Sequence, residues 1–377
     1  MRLILVLTAL ALAVNGAAQA ANQTFPSSAG NVTVETVASG LVHPWSLAFL
    51  PDGRMLVSER PGRMRIVTRD GKLSAPLTGV PQVFARSQGG LLDVALDRGF
   101  AQNGTIYFSY AEPFDGGGRT ALARARLDAS GTPGLTDVKV IYRQHGPASR
   151  GGHFGGRIAQ GADSHLFLTN GEHFTGRDMA QTLDNDLGKI VRIAPDGAAP
   201  KDNPFVSKAS ARPEIWSLGH RNPQGLAINP TDGKLWAQEH GPMGGDEINI
   251  IVPGHNYGWP LVSYGVNYDG TPVGSVKDKM AGMDDSVWHW TPSIAPSGMT
   301  FITGDLFKSW EGSLINGALK FQMIVRLEIK GDKVVKEERL LQGLHERIRD
   351  VRQGPDGALY LLTDNSAGRI LRLAPAK

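Results

Sequence analysis

The stretch SLAFLPDGRMLVSERPGRMRIV, residues 46–67, decides the fold class. It contains an apolar strand, a Pro-Asp-Gly turn, a second apolar strand, and a glycine turn that leads into a third strand. The same order returns near the other end of the chain in RDVRQGPDGALYLLTDNSAGRILRL, residues 349–373. Short apolar runs separated by glycine-containing turns are typical of antiparallel sheets. The repeat therefore predicts several copies of one small β-sheet.

Four looser copies of the pattern lie between these two, at residues 93–110, 156–172, 225–242 and 298–329. The six copies begin roughly 45–75 residues apart. Self-similarity of this length in an all-strand sequence predicts a six-bladed β-propeller of four-stranded antiparallel sheets, one sheet per repeat. A pair of β-sandwiches, which also use Pro-Asp-Gly turns, is the alternative. Because the connections are short, residues 21–377 are expected to form a single domain.

Residues 1–20, MRLILVLTALALAVNGAAQA, combine one charge, an apolar run and an Ala-Gln-Ala end. The apolar run is shorter than the roughly 20 residues of a membrane-spanning helix, so the pattern indicates a secretory signal peptide. The chain contains no cysteine, and an exported protein without disulfides is stabilised mainly by its core. These features together predict a periplasmic protein.

The net charge of the chain gives little information about its binding partners. The formal net charge is +3, and no run of Lys and Arg occurs. The sequence therefore gives no support to nucleic acid binding or to membrane insertion. We expect a monomer or homodimer that acts on a small molecule.

Polar residues that follow the second strand of each repeat should converge at one end of a central channel. Four cations that could meet there, Arg221, Lys320, Arg347 and Arg349, favour a receptor for a polyanionic small molecule. Arg221 and Arg349 precede their repeats at what look like matching places. Dispersed surface charges are the alternative for each of them. The other polar candidates near this end are Gln88, His153, Glu172, His173 and Asn222.

The stretch HGPMGGDEIN, residues 240–249, places a tight turn before two carboxylates. Backbone carbonyls and carboxylates are the oxygen ligands that Ca²⁺ prefers. NYGWP, residues 256–260, follows closely enough to add a carbonyl. The pattern predicts a calcium site, with an ordinary solvated acidic loop as the alternative.

The stretch GGHFGGRI, residues 151–158, surrounds His153 with four glycines. A neutral imidazole is the usual general base for a substrate hydroxyl near pH 7. Glycines lack side chains that would shield the ring, so a large flat group could approach it closely. A hydrogen-bonded structural histidine is the alternative.

These motifs taken together, with QGGLLDVALD (88–97), GHRNPQGLA (219–227) and APSGM (295–299), resemble the soluble PQQ-dependent aldose sugar dehydrogenases, relatives of soluble quinoprotein glucose dehydrogenase. The resemblance covers about residues 32–374. It implies a six-bladed propeller that binds pyrroloquinoline quinone (PQQ) and Ca²⁺. It also implies oxidation of the anomeric hydroxyl of an aldose to a lactone, with an unidentified electron acceptor completing the cycle.

The resemblance assigns roles to residues at the channel mouth. His153 is expected to be the general base, and Arg221 with Asn222 is expected to contact the quinone edge, where Arg221 stabilises developing negative charge. Gln88 is expected to line the pocket.

The same resemblance implies that Lys320, Arg347 and Arg349 pair with the carboxylates of PQQ.

The expected calcium ligands are the carbonyls of Gly241 and Pro242 for the ion that polarises the quinone. Glu247 and the carbonyl of Tyr257 are expected to hold a second, structural calcium, with Asp246 nearby.

One position departs from the pattern of the soluble glucose dehydrogenases. Their residue before the catalytic histidine is an aspartate, whereas this chain has Gly152. The difference favours the broader aldose branch over strict glucose selectivity. Two other functions stay open: a calcium-dependent hydrolase of the lactonase type, and a propeller that binds a ligand without catalysis.

Overall fold

The regular structure of the protein is almost entirely β-strand. The computed structural model describes residues 22–275 and 278–376, so the predicted signal peptide, residues 1–20, lies outside the described residues. The first half of the chain contains β1 (Gln23–Phe25), β2 (Val32–Leu41), β3 (Pro44–Phe49), β4 (Met55–Glu59), β5 (Arg63–Val67), β6 (Leu91–Leu96), β7 (Thr105–Phe114), β8 (Gly117–Asp128), β9 (Gly134–Arg143), β10 (Gly155–Gln160), β11 (Leu166–Asn170) and β12 (Lys189–Ile193). The second half contains β13 (Ile215–Leu218), β14 (Pro223–Ile228), β15 (Leu235–Glu239), β16 (Asp246–Ile251), β17 (Trp288–Trp290), β18 (Pro296–Phe301), β19 (Leu314–Ala318), β20 (Met323–Lys330), β21 (Lys333–Leu340), β22 (Ile348–Gln353), β23 (Leu359–Thr363) and β24 (Gly368–Pro375).

Helices are short and lie in connections. They are α1 (Phe100–Asn103) and two 3₁₀ turns, Arg177–Gln181 and Lys308–Trp310. Among the described residues, none of these helices is long and apolar enough to cross a membrane.

Six antiparallel sheets form a closed ring. Their strand orders are β3-β4-β5, β6-β7-β8-β9, β10-β11-β12-β13, β14-β15-β16-β17, β18-β19-β20-β21 and β22-β23-β24-β2-β1. The first strand of each sheet contacts the first strands of both neighbouring sheets, and β22 contacts β3. The predicted six-bladed β-propeller is confirmed, and the alternative of paired sandwiches is excluded.

The Pro-Asp-Gly turns at residues 51–53 and 355–357 have the same backbone structure. Gly53 donates its N–H to Leu50 O at 2.9 Å, and Gly357 donates to Gly354 O at 2.9 Å. Both glycines have positive φ, 83° and 79°, which a residue with a side chain adopts at a cost. The turns therefore join the first and second strands of their blades in the same register.

The first and last sheets depart from four strands. β2 pairs with β24 from Val32↔Pro375 to Leu41↔Gly368, so the N-terminal strand completes the last sheet, and β1 adds a fifth strand. β5 ends the first sheet, and an irregular stretch covers its edge through Leu77 N–H to Met64 O at 2.9 Å. The ring is thus closed by hydrogen bonds between the two ends of the described chain.

The centre of the channel contains a buried ion network. Arg157 forms ion pairs with Asp350 at 2.8 Å and with Asp93 at 3.6 Å. Arg352 contacts the same two carboxylates at 2.8 and 2.9 Å, and the Arg157 guanidinium lies 4.1 Å from the ring centroid of Trp45. Each charge has opposite partners within the network, which offsets the cost of burying Arg157, Asp93 and Asp350.

We predict that Arg157→Met lowers the free energy of unfolding by about 3–5 kcal/mol, because it leaves two buried carboxylates short of a partner. Urea denaturation followed by tryptophan fluorescence measures the change. Lys72→Met is the control, since Lys72 pairs with Asp70 in solvent, where both side chains are more than half exposed, and should leave the midpoint unchanged. Equal midpoints for Arg157→Met and the wild type would contradict a structural role for the network.

Candidate active site

A cavity of about 320 Å³ lies at one end of the channel. Its walls come from the beginnings of the first strands, the ends of the second strands and the connections beside them. The lining residues are Trp45, Arg60, Ser87, Gln88, Leu92, Phe154, Gly155, Asn222, Gln224, His240, Ala295, Leu319, Arg347, Arg349 and Asp364.

Residues that follow second strands converge in this cavity, as the sequence predicted. Arg60, His240, Leu319 and Asp364 come directly after β4, β15, β19 and β23, and all four line it. Sequence reasoning did not single out Arg60 or Asp364. Their position after the second strands of the two clearest repeats was the signal that would have found them.

Three arginines give the cavity an excess of positive charge. Arg60, Arg347 and Arg349 line it together with Asp364. Arg347 and Arg349 approach the Asp364 carboxylate at 3.4 and 3.3 Å. Although burial opposes the shift, chiefly Arg349 and also Arg347 and Arg60 hold the pKa of Asp364 well below its usual range. The cavity is therefore suited to an anionic ligand.

Among the predicted cations, the role of Lys320 stays a prediction, whereas the match between Arg221 and Arg349 needs correction. Lys320 follows the lining residue Leu319, but its side chain is exposed and its Nζ lies 5.6 Å from the Phe321 ring centroid rather than in the cavity wall. Arg221 and Arg349 do not occupy matching places. Arg221 lies two residues before β14, whereas Arg349 is the second residue of β22 and corresponds to Gln224.

His153 is buried, with 3% of its surface exposed, and is held at two points. Its main-chain N–H donates to Gln88 Oε1 at 2.8 Å, and its Nδ1 lies 2.8 Å from Glu172 Oε1. A carboxylate can only accept, so Nδ1 carries the hydrogen and Nε2 keeps its lone pair. Sequence reasoning gave Glu172 no specific role, and its contact with His153 depends on the fold.

Burial controls the protonation of this pair. Burial, with a smaller contribution from the charge of Arg221, lowers the pKa of His153 well below 6.5. Burial raises the pKa of Glu172 to about 7. At pH 8 the pair is thus a neutral imidazole and a carboxylate, the state in which Nε2 is a base.

Two of the glycines around His153 are required because a side chain at these positions would be too close to neighbouring atoms. A Cβ at Gly155 would lie 2.7 Å from Thr169 O, and one at Gly156 would lie 2.6 Å from Leu92 Cδ1. Both glycines also have positive φ. The backbone therefore requires glycine at both positions, and because Gly155 also lines the cavity, the interpretation that these glycines leave room for a flat group stays a prediction. At Gly152 the nearest atom to an added Cβ is Phe174 Cβ at 3.6 Å, an ordinary contact.

Arg221 and Asn222 are buried beside the histidine loop. Asn222 Oδ1 accepts the Gly155 N–H at 3.1 Å. Arg221 Nη1 donates to Gly241 O at 2.8 Å, and the guanidinium lies 5.2 Å from the Trp259 ring centroid. Arg221 Nε is buried without a hydrogen-bond partner in the described part of the chain. Arg221 thus connects the histidine side of the site to the predicted calcium turn.

A second, much smaller cavity of about 10 Å³ lies next to the first, and His240 lines both. Glu239, Glu247, Gly241 and Tyr257 contribute to its walls. The volume matches a single water or ion. The structure thus brings the predicted ligands Gly241, Glu247 and Tyr257 to one cavity.

Two buried carboxyl groups, those of Glu239 and Glu247, line this small cavity together with Arg221. Burial and then the neighbouring Glu239 raise the pKa of Glu247 to about 8. Asn249 donates to Glu247 Oε2 at 3.2 Å, while its own Oδ1 is buried without a partner among residues 22–275 and 278–376. Asp246 has another role, because its two oxygens accept N–H bonds from Gly241 and Ala295 and so hold the turn.

The Gly241–Pro242 turn is already engaged on one side. The Gly241 carbonyl accepts the bond from Arg221. A carbonyl oxygen has two lone pairs, so a metal ion can share it. Tyr257 has a fixed side chain, because its hydroxyl donates to Ile250 O at 2.6 Å and its ring stacks on His220.

Fold and site together define a six-bladed propeller with a cavity lined by three arginines, a buried His153–Glu172 pair and a small cavity lined by two buried carboxyl groups. Residues 41–372 match the Glucose / Sorbosone dehydrogenase family, and the chain belongs to it.

Individual relatives agree with this assignment. The chain is similar to the aldose sugar dehydrogenase YliI of Escherichia coli (strain K12), with 47% identity over 347 residues covering 91% of this chain and 93% of the relative. The apo-form structure of the soluble aldose sugar dehydrogenase from Escherichia coli gives a TM-score of 0.89 at 46% identity, covering 92% of this chain and 100% of that one. The PQQ-bound form of aldose sugar dehydrogenase from Streptomyces coelicolor gives 0.76 at 31% identity, covering 91% and 98%. The predicted relation to the aldose sugar dehydrogenases is confirmed.

Proposed function

We propose that the protein oxidises the anomeric hydroxyl of aldoses to lactones in the periplasm, with PQQ as the hydride acceptor and Ca²⁺ as its Lewis acid. The observation that carries the proposal is the buried His153–Glu172 pair beside a cavity lined by three arginines. Membership of the Glucose / Sorbosone dehydrogenase family supports it.

The residues of the cavity fit PQQ. PQQ has three carboxylates, and Arg60, Arg347 and Arg349 line the cavity. Arg349 Nε is buried and lacks a hydrogen-bond partner within the described residues, so it has a donor to offer. The volume of about 320 Å³ is in the range of small-molecule sites. Bound PQQ supplies the two-electron acceptor for the hydride that leaves the anomeric carbon.

The residues of the smaller cavity fit Ca²⁺. Two buried carboxylates, Glu239 and Glu247, lie close enough to raise a pKa, and no Lys or Arg pairs with Glu247 in the part of the chain that the structure describes. We propose that Glu247 and the Tyr257 carbonyl hold one ion in this cavity, and that the Gly241 and Pro242 carbonyls hold another outside it, because the cavity has room for a single ion and Pro242 does not line it. Ca²⁺ bound at these carbonyls supplies Lewis acidity to a carbonyl of the cofactor.

The chain itself supplies the base. His153 Nε2 takes the proton of the anomeric hydroxyl, and the Glu172 carboxylate stabilises the positive charge that develops on the ring. Gln88 fixes the main chain of His153, and Glu172 fixes the ring, so that the lone pair has one orientation. Arg221, whose guanidinium is buried beside the base, stabilises negative charge that develops on the cofactor.

The other functions are less well supported. A lactonase-type hydrolase would need free carboxylates around a metal at the channel centre, but Asp93 and Asp350 there pair with Arg157 and Arg352. A propeller that only binds a ligand has no use for a base whose lone pair is oriented by Glu172. The electron acceptor and the choice between monomer and homodimer stay as predicted from the sequence.

We predict that the protein, loaded with PQQ and Ca²⁺, reduces an artificial dye with a panel of aldoses. His153→Gln should lower kcat by roughly 10²- to 10⁴-fold while PQQ still binds, because it removes the base and not the arginines. Arg349→Gln should instead raise the Kd for PQQ, measured by absorbance titration. Arg339→Gln, which alters an outer-strand arginine paired with Glu337, is the control for lost charge. If no sugar reduces the dye and PQQ shows no absorbance change, the proposed function fails.

We predict an acid limit to activity near pH 7, set by Glu172. Below its pKa of about 7, the protonated carboxyl donates to His153 Nδ1, so the ring hydrogen moves to Nε2 and the base is lost. The rate should therefore fall about tenfold per pH unit below 7. In Glu172→Gln this limb should disappear, because an amide does not titrate, and the rate at pH 8 should drop about 10- to 100-fold.

The pH–rate profile of kcat/KM measures this limb, with Glu328→Gln on β20 as the matched control. An unchanged limb in Glu172→Gln would show that another group titrates there.

We predict that Ca²⁺ raises the melting temperature of the cofactor-free protein and that Glu247→Gln reduces this rise. A ligand that binds only the folded state stabilises it by RT ln(1 + [L]/Kd), and the variant weakens binding because it removes a charged ligand. Calorimetric titration should show one fewer ion bound. Asp305→Asn, at a 94%-exposed side chain, is the control, and an equal ion count in Glu247→Gln would exclude Glu247 as a ligand.

A further inference from the structure

Two large aromatic side chains are exposed next to the site. Phe174 is 53% exposed and Tyr268 is 63% exposed. Their rings are nearly parallel, with an interplanar angle of 16° and centroids 6.3 Å apart. Aromatic side chains of this size usually bury most of their surface, so an exposed stacked pair beside a cavity indicates a binding surface.

The pair extends from the base to Arg221. The Phe174 ring meets the His153 ring edge-on, with centroids 5.0 Å apart. Tyr268 Oη accepts from Arg221 Nη2 at 3.4 Å. Because His153 is buried and both aromatic rings are exposed, the pair lies on the outer side of the base.

The two rings are held in place by their loops. Arg177 donates to Asn267 Oδ1 at 3.2 Å and so joins the loop of Phe174 to the loop of Tyr268. His173 and Phe174 both have positive φ, 61° and 67°, which is uncommon for residues with side chains and is often found at functional sites. A Cβ added at Gly152 would lie 3.6 Å from Phe174 Cβ, so Gly152 places no side chain against Phe174.

We propose that Phe174 and Tyr268 form an outer sugar subsite that stacks on the second pyranose unit of a reducing disaccharide or oligosaccharide. The proposal rests on the proposed function, which places the anomeric carbon of the first unit at His153. The C–H face of a pyranose is apolar, and aromatic rings provide a flat apolar partner for it. The first unit must reach a buried base, so the second unit lies outward, where the aromatic pair is.

The test compares cellobiose with glucose in the PQQ- and Ca²⁺-loaded enzyme. The second unit of cellobiose has only equatorial substituents and offers C–H bonds on both faces. Phe174→Ala and Tyr268→Ala should each lower the ratio of kcat/KM for cellobiose to kcat/KM for glucose roughly five- to tenfold, the size of one lost aromatic contact. The fall should arise in KM. Tyr268→Phe keeps the ring and should keep the ratio. Leu306→Ala, an exposed apolar residue in the turn after β18 at the opposite end of the blade, is the control.

A binding measurement accompanies the kinetics. Without an electron acceptor the loaded enzyme turns over once and then only binds sugar. Saturation-transfer NMR should show contacts to the C–H protons of the non-reducing unit of cellobiose in the wild type and lose them in Phe174→Ala/Tyr268→Ala.

The outcomes are distinct. If the wild type oxidises sugars but the ratio and the NMR contacts do not change in the variants, the outer subsite does not exist. If the alanine variants instead raise the Kd for PQQ with the ratio unchanged, the pair binds the cofactor and the proposal is overturned. If the wild type oxidises no sugar, the proposed function itself has failed.

Discussion

The first two strands of each blade are antiparallel, so the first strand begins and the second strand ends at the same end of the channel. This constraint fixes where the site lies. Arg60, His240 and Asp364 come from three different blades, yet each follows a second strand and therefore meets the others. Arg349 and Gln224 reach the same cavity from the second positions of their first strands, where Arg349 Nη1 donates to Gln224 Oε1 at 3.1 Å. The site is thus a consequence of strand register.

The net charge of the buried side chains differs between the centre of the channel and the cavities at its end. At the centre, two arginines and two carboxylates satisfy one another, with Arg157 and Asp350 2.8 Å apart. Above them, the cavity is lined by three arginines and the carboxylate of Asp364, so its net charge is positive. Beside it, Glu239 and Glu247 leave an acidic pocket. Unbalanced charges of opposite sign in adjacent cavities are suited to an anionic cofactor and a divalent cation bound side by side.

The sequence predicted those features that depend on local pattern. The recurring strand–turn–strand pattern predicted six blades, and Gln88, Asn222, Arg347 and Arg349, which it placed near strand ends, line one cavity. For Lys320 the structure gives no such placement, because its side chain is exposed next to the lining residue Leu319, and its pairing with the cofactor stays a prediction. The pattern missed the closure of the ring, because β2 has no turn motif and its partner β24 comes from the far end of the chain. Pairing between distant segments is a property of the whole fold rather than of any one motif.

The orientation of the His153 ring shows most clearly why a sequence motif is insufficient to predict the geometry of the site. The glycines that mark His153 in the sequence are needed for the backbone around Thr169 and Leu92 and do not orient the ring. That orientation comes from Gln88, between β5 and β6, and from Glu172, between β11 and β12. Because Glu172 occupies Nδ1, the only ring nitrogen left for a substrate is Nε2. Which ring nitrogen is left to accept a proton is therefore decided by a residue outside the motif that reveals the histidine.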